Sequence, residues 1–111
     1  MDTMKNLFDL PNPLPNQEQF DDLIIDQGVK IERIISTGQT TPQGECYDQD
    51  RDEWVILLQG QATLEYENGR TISLQPGDHI LIPAHKKHRV THTSTDPPCI
   101  WLAVHGPLTA T

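Results

Sequence analysis

Two polar stretches of the chain combine side chains that can hold metal ions, move protons or bind small molecules. The first runs from Tyr47 to Glu53 and reads Y-D-Q-D-R-D-E, and the second contains His88 and His92. Phenol, amide, carboxylate and imidazole groups serve as ligands, as acids and bases, or as hydrogen-bonding partners. Two other catalytic patterns are absent from the sequence, namely a Gly-x-Ser-x-Gly nucleophile turn and a phosphate-binding glycine loop.

The apolar pattern around these stretches has a period of two, which predicts β-strands. Predicted strands begin at Val29 and continue through 53–59, 62–67, 71–74, 80–82, 89–93 and 100–105. Asn68-Gly69 predicts a two-residue hairpin turn, because such turns need positive φ angles. About seven or eight short strands joined by turns are typical of a β-sandwich or a β-barrel, and the pattern alone does not choose between them.

The two polar stretches resemble the two sequence motifs of the cupin superfamily. The matching positions are Glu53 and Gly60 in the first motif and Gly77, Pro83 and His88 in the second. Tyr47 and Gln49 stand where the first motif has two histidines, and His92 stands where the second often has asparagine. The resemblance covers residues 30–105 and implies an all-β fold, a single jelly-roll barrel.

The family positions normally hold a divalent metal ion, so the resemblance implies a metal site at Gln49, Glu53 and His88. Tyr47 would then be the catalytic acid or hydrogen-bond donor. One divalent ion is the implied cofactor, with zinc, iron, manganese and nickel as candidates. Zinc prefers His, Cys and carboxylate, and the non-haem iron triad needs two His, so a hydrogen-bonded polar pocket without metal stays open as the alternative. The predicted substrate-binding residues are His92, His105 and Arg51.

Two main classes of function follow from this site. The first is a metal-assisted enzyme that acts on a small polar metabolite, and the second is a non-catalytic module that binds or senses a small molecule. A relic barrel kept for protein contacts is a third reading. Cupins include isomerases, dioxygenases, decarboxylases, storage proteins and ligand sensors, so the resemblance does not choose among them.

Length and charge limit the partners. A chain of 111 residues is large enough for one domain with a modest core. Its net charge of −8 argues against nucleic acid and membrane as partners, because both favour a basic surface. Only Cys46 and Cys99 are present, with no secretory signal at the start, so we expect a cytoplasmic protein with reduced thiols.

Three segments are predicted: an N-terminal arm over 1–28, the barrel over 29–107 and a tail over 108–111. Three prolines within 10–15 make that part of the arm extended rather than helical. The stretch from Gln17 to Asp26 is predicted to form a helical turn. The apolar side chains of the arm predict that it packs on the barrel or on the partner chain of a homodimer.

Overall fold

The computed structural model describes residues 4–109, so the first three residues of the predicted arm and the last two of the predicted tail lie outside the described residues. The described chain forms eight strands. They are β1 (Gln19–Asp26), β2 (Val29–Ser36), β3 (Asp52–Gln59), β4 (Ala62–Tyr66), β5 (Thr71–Leu74), β6 (His79–Ile82), β7 (His88–Thr93) and β8 (Cys99–Gly106). Within 4–109, nothing helical is long and apolar enough to cross a membrane.

The strands form two antiparallel sheets that enclose a single core. The larger sheet has the order β1-β2-β8-β3-β6, and the smaller has the order β5-β4-β7. Apolar side chains from the inner faces of both sheets fill the space between them. The buried core consists of Val55, Leu57, Ala62, Leu64, Leu74, Ile82, Cys99, Trp101 and Ala103. The predicted all-β jelly-roll barrel is therefore confirmed.

The alternation of β3 explains how a carboxyl group enters this core. Glu53, Val55 and Leu57 are buried, while the residues between them are only partly buried. Side chains two apart on a strand share a face, so the register that buries Val55 and Leu57 also turns Glu53 inward. Burying each such aliphatic side chain contributes roughly 1.5–3 kcal/mol, so the apolar neighbours fix this register.

The predicted helical turn between Gln17 and Asp26 is wrong, because residues 19–26 form the edge strand β1. This strand pairs antiparallel with β2 and has a bulge between Asp22 and Ile24. Side-chain contacts add to the pairing: Arg33 on β2 forms a salt bridge of 2.7 Å with Asp21. Arg33 also donates hydrogen bonds to the carbonyls of Leu7 and Asp9. Backbone pairing and this one guanidinium thus outweigh the local helical pattern.

The turn between β4 and β5 is longer than predicted. Tyr66 donates a backbone hydrogen bond to the Arg70 carbonyl, and Gly69 donates one to the Tyr66 carbonyl. The pairing of Tyr66 with Arg70 closes a loop of three residues, 67–69, and the positive φ falls on Gly69, at 87°, but not on Asn68. The two-residue hairpin turn expected from Asn68-Gly69 is corrected to a three-residue loop with glycine at the positive-φ position.

Candidate functional site

A small cavity lies between the two sheets. We call it the inner cavity; its volume is about 60 Å³. Its polar lining consists of Glu18, Glu32, Tyr47, Gln49, Glu53 and His88. Its apolar lining consists of Phe20, Ile34, Val55, Leu64, Ile82, Val90 and Trp101. A few polar groups that converge inside an apolar wall are typical of a ligand site.

Four of the sequence-predicted residues therefore lie together. The spacing of Tyr47 and Gln49 predicts one shared face if both lie on a strand, but residues 40–51 are irregular apart from an isolated bridge between Tyr47 and His88. Two backbone hydrogen bonds form this bridge, Tyr47 N–H to the His88 carbonyl at 2.7 Å and the reverse at 3.1 Å. The bridge fastens the loop to β7 and places the Tyr47 ring against the imidazole of His88.

His88 presents one ring nitrogen to the inner cavity. Its Nδ1 lies 2.9 Å from the Lys86 carbonyl, which can only accept, so Nδ1 carries the proton. Nε2 is left facing Glu53, with 3.9 Å to Oε1, too far for a hydrogen bond. The Tyr47 ring stacks on the imidazole with the two ring centroids 5.4 Å apart. In the neutral form the Nε2 lone pair is therefore available to a ligand or a proton.

Glu53 is the central group of the cavity, with a relative exposure of 7%. Burial raises the pKa of its carboxyl, and the imidazoles of His105 and His88 and the Gln49 amide lower it without cancelling that effect. His105 Nε2 lies 4.0 Å from Oε2, so each carboxylate oxygen has an imidazole nearby but beyond hydrogen-bond reach. A buried carboxyl with a raised pKa is a stronger base than a solvated one.

The phenol of Tyr47 remains protonated at neutral pH. Burial, followed by the charges of Glu18 and Glu53, raises its pKa to about 12. Tyr47 can therefore donate a hydrogen bond or a proton to a ligand, and it is a poor base. This agrees in chemistry with the donor role predicted for it, which stays a prediction.

Glu32 is a site residue that sequence reasoning missed. It is buried, lines the inner cavity and accepts a hydrogen bond of 2.8 Å from His105 Nε2. Burial raises the pKa of Glu32, but the bond from His105 and the charge of Lys30 outweigh that effect, so the net shift is downward. His105 is thus placed behind Glu32 and Glu53 by its position on β8, opposite Glu53 in the register.

Glu18 is the second missed residue. Its carboxylate accepts a hydrogen bond of 2.6 Å from Ser36, and Ser36 accepts one from the Trp101 indole at 3.2 Å. Burial raises the pKa of Glu18, while Ser36 and Tyr47 lower it. Glu18 and Phe20 are two residues apart, as are Glu32 and Ile34, so each pair shares one face of an extended chain. This spacing was the sequence signal for both glutamates. The predicted helical turn between Gln17 and Asp26 concealed this signal.

A wider cleft of about 600 Å³ adjoins the inner cavity. We call it the outer cleft. Its lining consists of Phe20, Asp22, Lys30, Glu32, Asp48, Gln49, Asp50, Arg51, His85 and His105. Three of these also line the inner cavity, namely Phe20, Glu32 and Gln49, so the two spaces meet at those residues. The predicted substrate-binding residues Arg51 and His105 lie here.

Strand alternation alone predicts that His92 shares a face with His88 and Val90. This prediction is wrong, because His92 is not turned towards the cavity. The register between β4 and β7 shifts, since Thr63 pairs with His92 whereas Leu64 pairs with Val90. Thr91 is therefore the extra residue of a bulge, which reverses the side-chain parity after it. His92 is exposed and lines neither space.

The predicted metal ligands make an incomplete set for a transition metal. Across residues 4–109, no three His, Cys, Asp or Glu side chains are grouped so that they could hold an ion. His88 and Glu53 are suitable ligands, but Gln49 and Tyr47 offer only a neutral amide and a phenol with a high pKa. His105 is engaged by Glu32. These donors do not fit a firmly held zinc or non-haem iron centre, so the predicted ion stays a prediction.

The fold and the cavity define this protein as a small jelly-roll barrel with a partly polar internal cavity. The chain also matches the family model described as a cupin domain over residues 34–105. The chain therefore belongs to the cupin family, as the sequence motifs implied.

Solved structures include a similar protein of nearly the same length. The crystal structure of a candidate mannose-6-phosphate isomerase of Ralstonia eutropha JMP134 shares 43% sequence identity with a TM-score of 0.88. The match covers 96% of this chain and 100% of that one. A cupin superfamily protein of Desulfitobacterium hafniense DCB-2 shares the fold, with 22% identity, a TM-score of 0.70, and 94% of this chain and 100% of that chain covered.

One curated protein matches over a shorter stretch. The RCS-specific HTH-type transcriptional activator RclR of Escherichia coli strain K12 is 38% identical over 47 residues, or 42% of this chain. The matched stretch spans 16% of the length of that activator.

Proposed function

We propose that this cupin is an enzyme that moves a proton within a small polar metabolite, with Glu53 as the general base. The observation that carries the proposal is the buried Glu53 carboxyl, whose pKa is raised by burial and whose two oxygens lie 3.9 and 4.0 Å from imidazole nitrogens. Groups in such an environment are tuned for proton transfer.

The two adjoining spaces suit different parts of one substrate molecule. The inner cavity has room for only a few atoms, whereas the outer cleft can hold the body of a small metabolite. We assign the reacting carbon to the inner cavity, where Glu53 removes a proton from a carbon next to a carbonyl group. Tyr47, as a protonated phenol, donates to the oxygen on which charge develops. Arg51 and His105 contact the remainder of the molecule from the outer cleft.

The similarity to the Ralstonia protein supports the same class of reaction. An aldose–ketose isomerisation transfers a proton between neighbouring carbons, and the name of that protein is that of such an isomerase. The chemistry proposed here requires acid and base groups of this chain alone. No step passes through a metal ion.

The test is exchange of a carbon-bound proton with solvent. The protein is incubated in D₂O with D-mannose, D-mannose 6-phosphate or D-mannosamine, and loss of the C2 proton is followed by ¹H NMR. We expect exchange with at least one sugar and a fall of about 100-fold or more in Glu53→Gln, the size typical of general-base catalysis. Glu65→Gln, an outward-facing change of equal charge on β4, is the control. An equal rate in Glu53→Gln would overturn the assignment.

A second candidate is a module that binds a small molecule and reports its presence. The match of 47 residues to a transcriptional activator favours it. The same samples distinguish the two candidates when ligand binding is followed alongside exchange. Binding that depends on the cavity residues, without proton exchange in any of the three sugars, would support the sensor and not the enzyme.

A further inference from the structure

Acidic side chains outnumber lysine and arginine side chains around the inner cavity and the outer cleft. The inner cavity is lined by three carboxyl groups, those of Glu18, Glu32 and Glu53, and by no lysine or arginine. The outer cleft adds the carboxyl groups of Asp22, Asp48 and Asp50. Lys30, Arg51 and the imidazoles of His85 and His105 are the basic groups that line it. A concave surface with one dominant sign of charge concentrates ligands of the opposite sign.

The basic groups of the cleft are partly committed to protein carboxylates. Lys30 Nζ lies 3.5 Å from Glu32 Oε2, and its side chain is 32% exposed. His85 Nδ1 lies 3.0 Å from Asp48 Oδ1. Arg51 is exposed at the rim, within a run of aspartates. The positive charges therefore lie at the outside of the site, and the negative ones extend to its floor.

The inner cavity also contains two buried polar side chains, His88 and Glu53, whose polar atoms face the cavity. His88 is 6% exposed and directs Nε2 into the inner cavity, while the nearest carboxylate oxygen is 3.9 Å away. Glu53, at 7% exposed, has the Gln49 amide as a hydrogen-bonding neighbour but neither imidazole within hydrogen-bond reach. His88 Nε2 and the remaining lone pairs of Glu53 can therefore accept hydrogen bonds from a ligand in the inner cavity.

We infer that the ligand of this site carries a cationic nitrogen, an alkylammonium group, that enters the inner cavity and is bound by Glu53, Glu32 and His88. An ammonium group has three donors and no acceptor, which suits two carboxylates and an imidazole lone pair. It also fits a cavity of about 60 Å³. Phosphate and carboxylate groups are disfavoured there, because three carboxyl groups and no lysine or arginine line the cavity.

This inference deepens the proposed function by naming its substrate class: a small amine or amino sugar rather than a sugar phosphate. A divalent cation would share the attraction to carboxylates. We favour the organic cation because no three His, Cys, Asp or Glu side chains of residues 4–109 are grouped closely enough to ligate a metal ion, whereas an ammonium group reaches its acceptors through N–H bonds at about 2.9 Å. The carboxyl groups here are instead spread along the path from the rim to the floor. A chain of acids of that kind suits an elongated polar molecule with a positive end.

The test measures binding and is separate from turnover. EDTA-treated full-length protein is titrated by calorimetry with D-mannosamine, D-mannose and D-mannose 6-phosphate, and by NMR with ethylammonium and acetate as small probes. Zinc and manganese are titrated in parallel. We expect D-mannosamine to bind about tenfold or more tightly than D-mannose, and ethylammonium to shift the backbone amide signals of the cavity residues. Acetate and the sugar phosphate should bind most weakly.

Substitutions test which carboxyl group causes the preference for D-mannosamine over D-mannose. Glu32→Gln keeps an oxygen that accepts from His105 and should reduce the preference for D-mannosamine over D-mannose by about tenfold. Glu65→Gln changes the net charge equally and should leave the preference intact. The inference is overturned if the phosphate or acetate binds more tightly than its cationic counterpart. It is equally overturned if only a metal ion binds, if no probe reaches the cavity, or if both variants behave alike.

The two proposals can fail independently. Tight binding of the amine without proton exchange would retain the substrate class and remove the enzyme. Exchange of D-mannose 6-phosphate that depends on Glu53 would retain the enzyme and remove the substrate class.

Discussion

At the scale of single residues, the site depends on Glu53, whose burial disfavours the ionised form of its carboxyl group. Glu53 lies in the same inward row as Val55 and Leu57, and burial is the largest influence on its pKa. The histidines and Gln49 only partly offset that effect. Ionising Glu53 therefore costs more free energy in the folded protein than in the unfolded chain. Such a cost at a functional residue is a common compromise between stability and activity.

Replacing Glu53 with its neutral isostere should therefore stabilise the protein at neutral pH. The folded-state pKa lies above the ordinary value of 4.5, so the folded protein holds the proton more firmly than the unfolded chain. Stability from this group is greatest below 4.5 and is lost as pH rises through the folded-state pKa. Glu53→Gln escapes that loss, so we expect a gain of about 1 kcal/mol in unfolding free energy at pH 7.5.

Urea unfolding of the wild type and Glu53→Gln at pH 4.5 and 7.5 measures this difference. The gain should shrink at the lower pH, and Glu65→Gln should show no comparable change. A variant that is less stable than the wild type at pH 7.5 would mean that the carboxylate contributes more through its neighbours than burial costs it.

At the scale of strands and loops, irregularities decide which side chains reach the cavity. The β-period and the motif spacings placed Glu53 and His88 correctly, because both lie where the alternation is unbroken. The bulge at Thr91 turns His92 outward. No sequence pattern predicts this bulge, so the outward position of His92 could not be predicted. Glu18 was missed because an edge strand is stabilised by pairing with β2, and a local pattern does not contain that partner.

The turn between β3 and β4 is another irregularity with a measurable consequence. Gly60 has a φ of 93°, and a Cβ placed there would lie 2.9 Å from Cys99 Sγ and 3.0 Å from Cys99 Cα. Gly69 has a similar φ of 87° but no atom within 4 Å of the equivalent Cβ. The motif glycine is therefore required by both conformation and space, and Gly69 by conformation alone.

Alanine at each position separates these two requirements. Gly69→Ala should cost about 1 kcal/mol of unfolding free energy, the strain of a positive φ. Gly60→Ala should cost about 3 kcal/mol or more, because the Cys99 backbone cannot move without disturbing β8. Chemical denaturation of both variants and the wild type measures the costs. Equal costs would show that the packing around Gly60 yields easily.

At the scale of the whole molecule, the apolar surface is concentrated on one edge strand. The larger sheet ends at β1, whose Phe20, Leu23, Ile24 and Ile25 are 50%, 42%, 55% and 68% exposed. The whole chain has a net charge of −8, to which β1 itself contributes Asp21, Asp22 and Asp26. The aspartates of β1 and the bulge between Asp22 and Ile24 oppose edge-to-edge pairing with another strand, so the exposed apolar side chains are the part of β1 that favours association with another chain. The homodimer predicted from the arm would thus form at β1.

We expect the full-length protein to be a dimer in solution, with β1 at its interface. Phe20 lines both spaces of the site, so the same edge would also limit access to the cavity. Ile25→Lys should produce a monomer, because a lysine in the apolar contact would have to lose its hydration. Gln27→Lys, an equally exposed change of one charge just beyond the strand, should leave the dimer intact. Light scattering coupled to size-exclusion chromatography measures the mass, and circular dichroism verifies that both variants are folded. A wild type that elutes as a monomer at all concentrations would refute the dimer, and the exposed edge would then need another explanation.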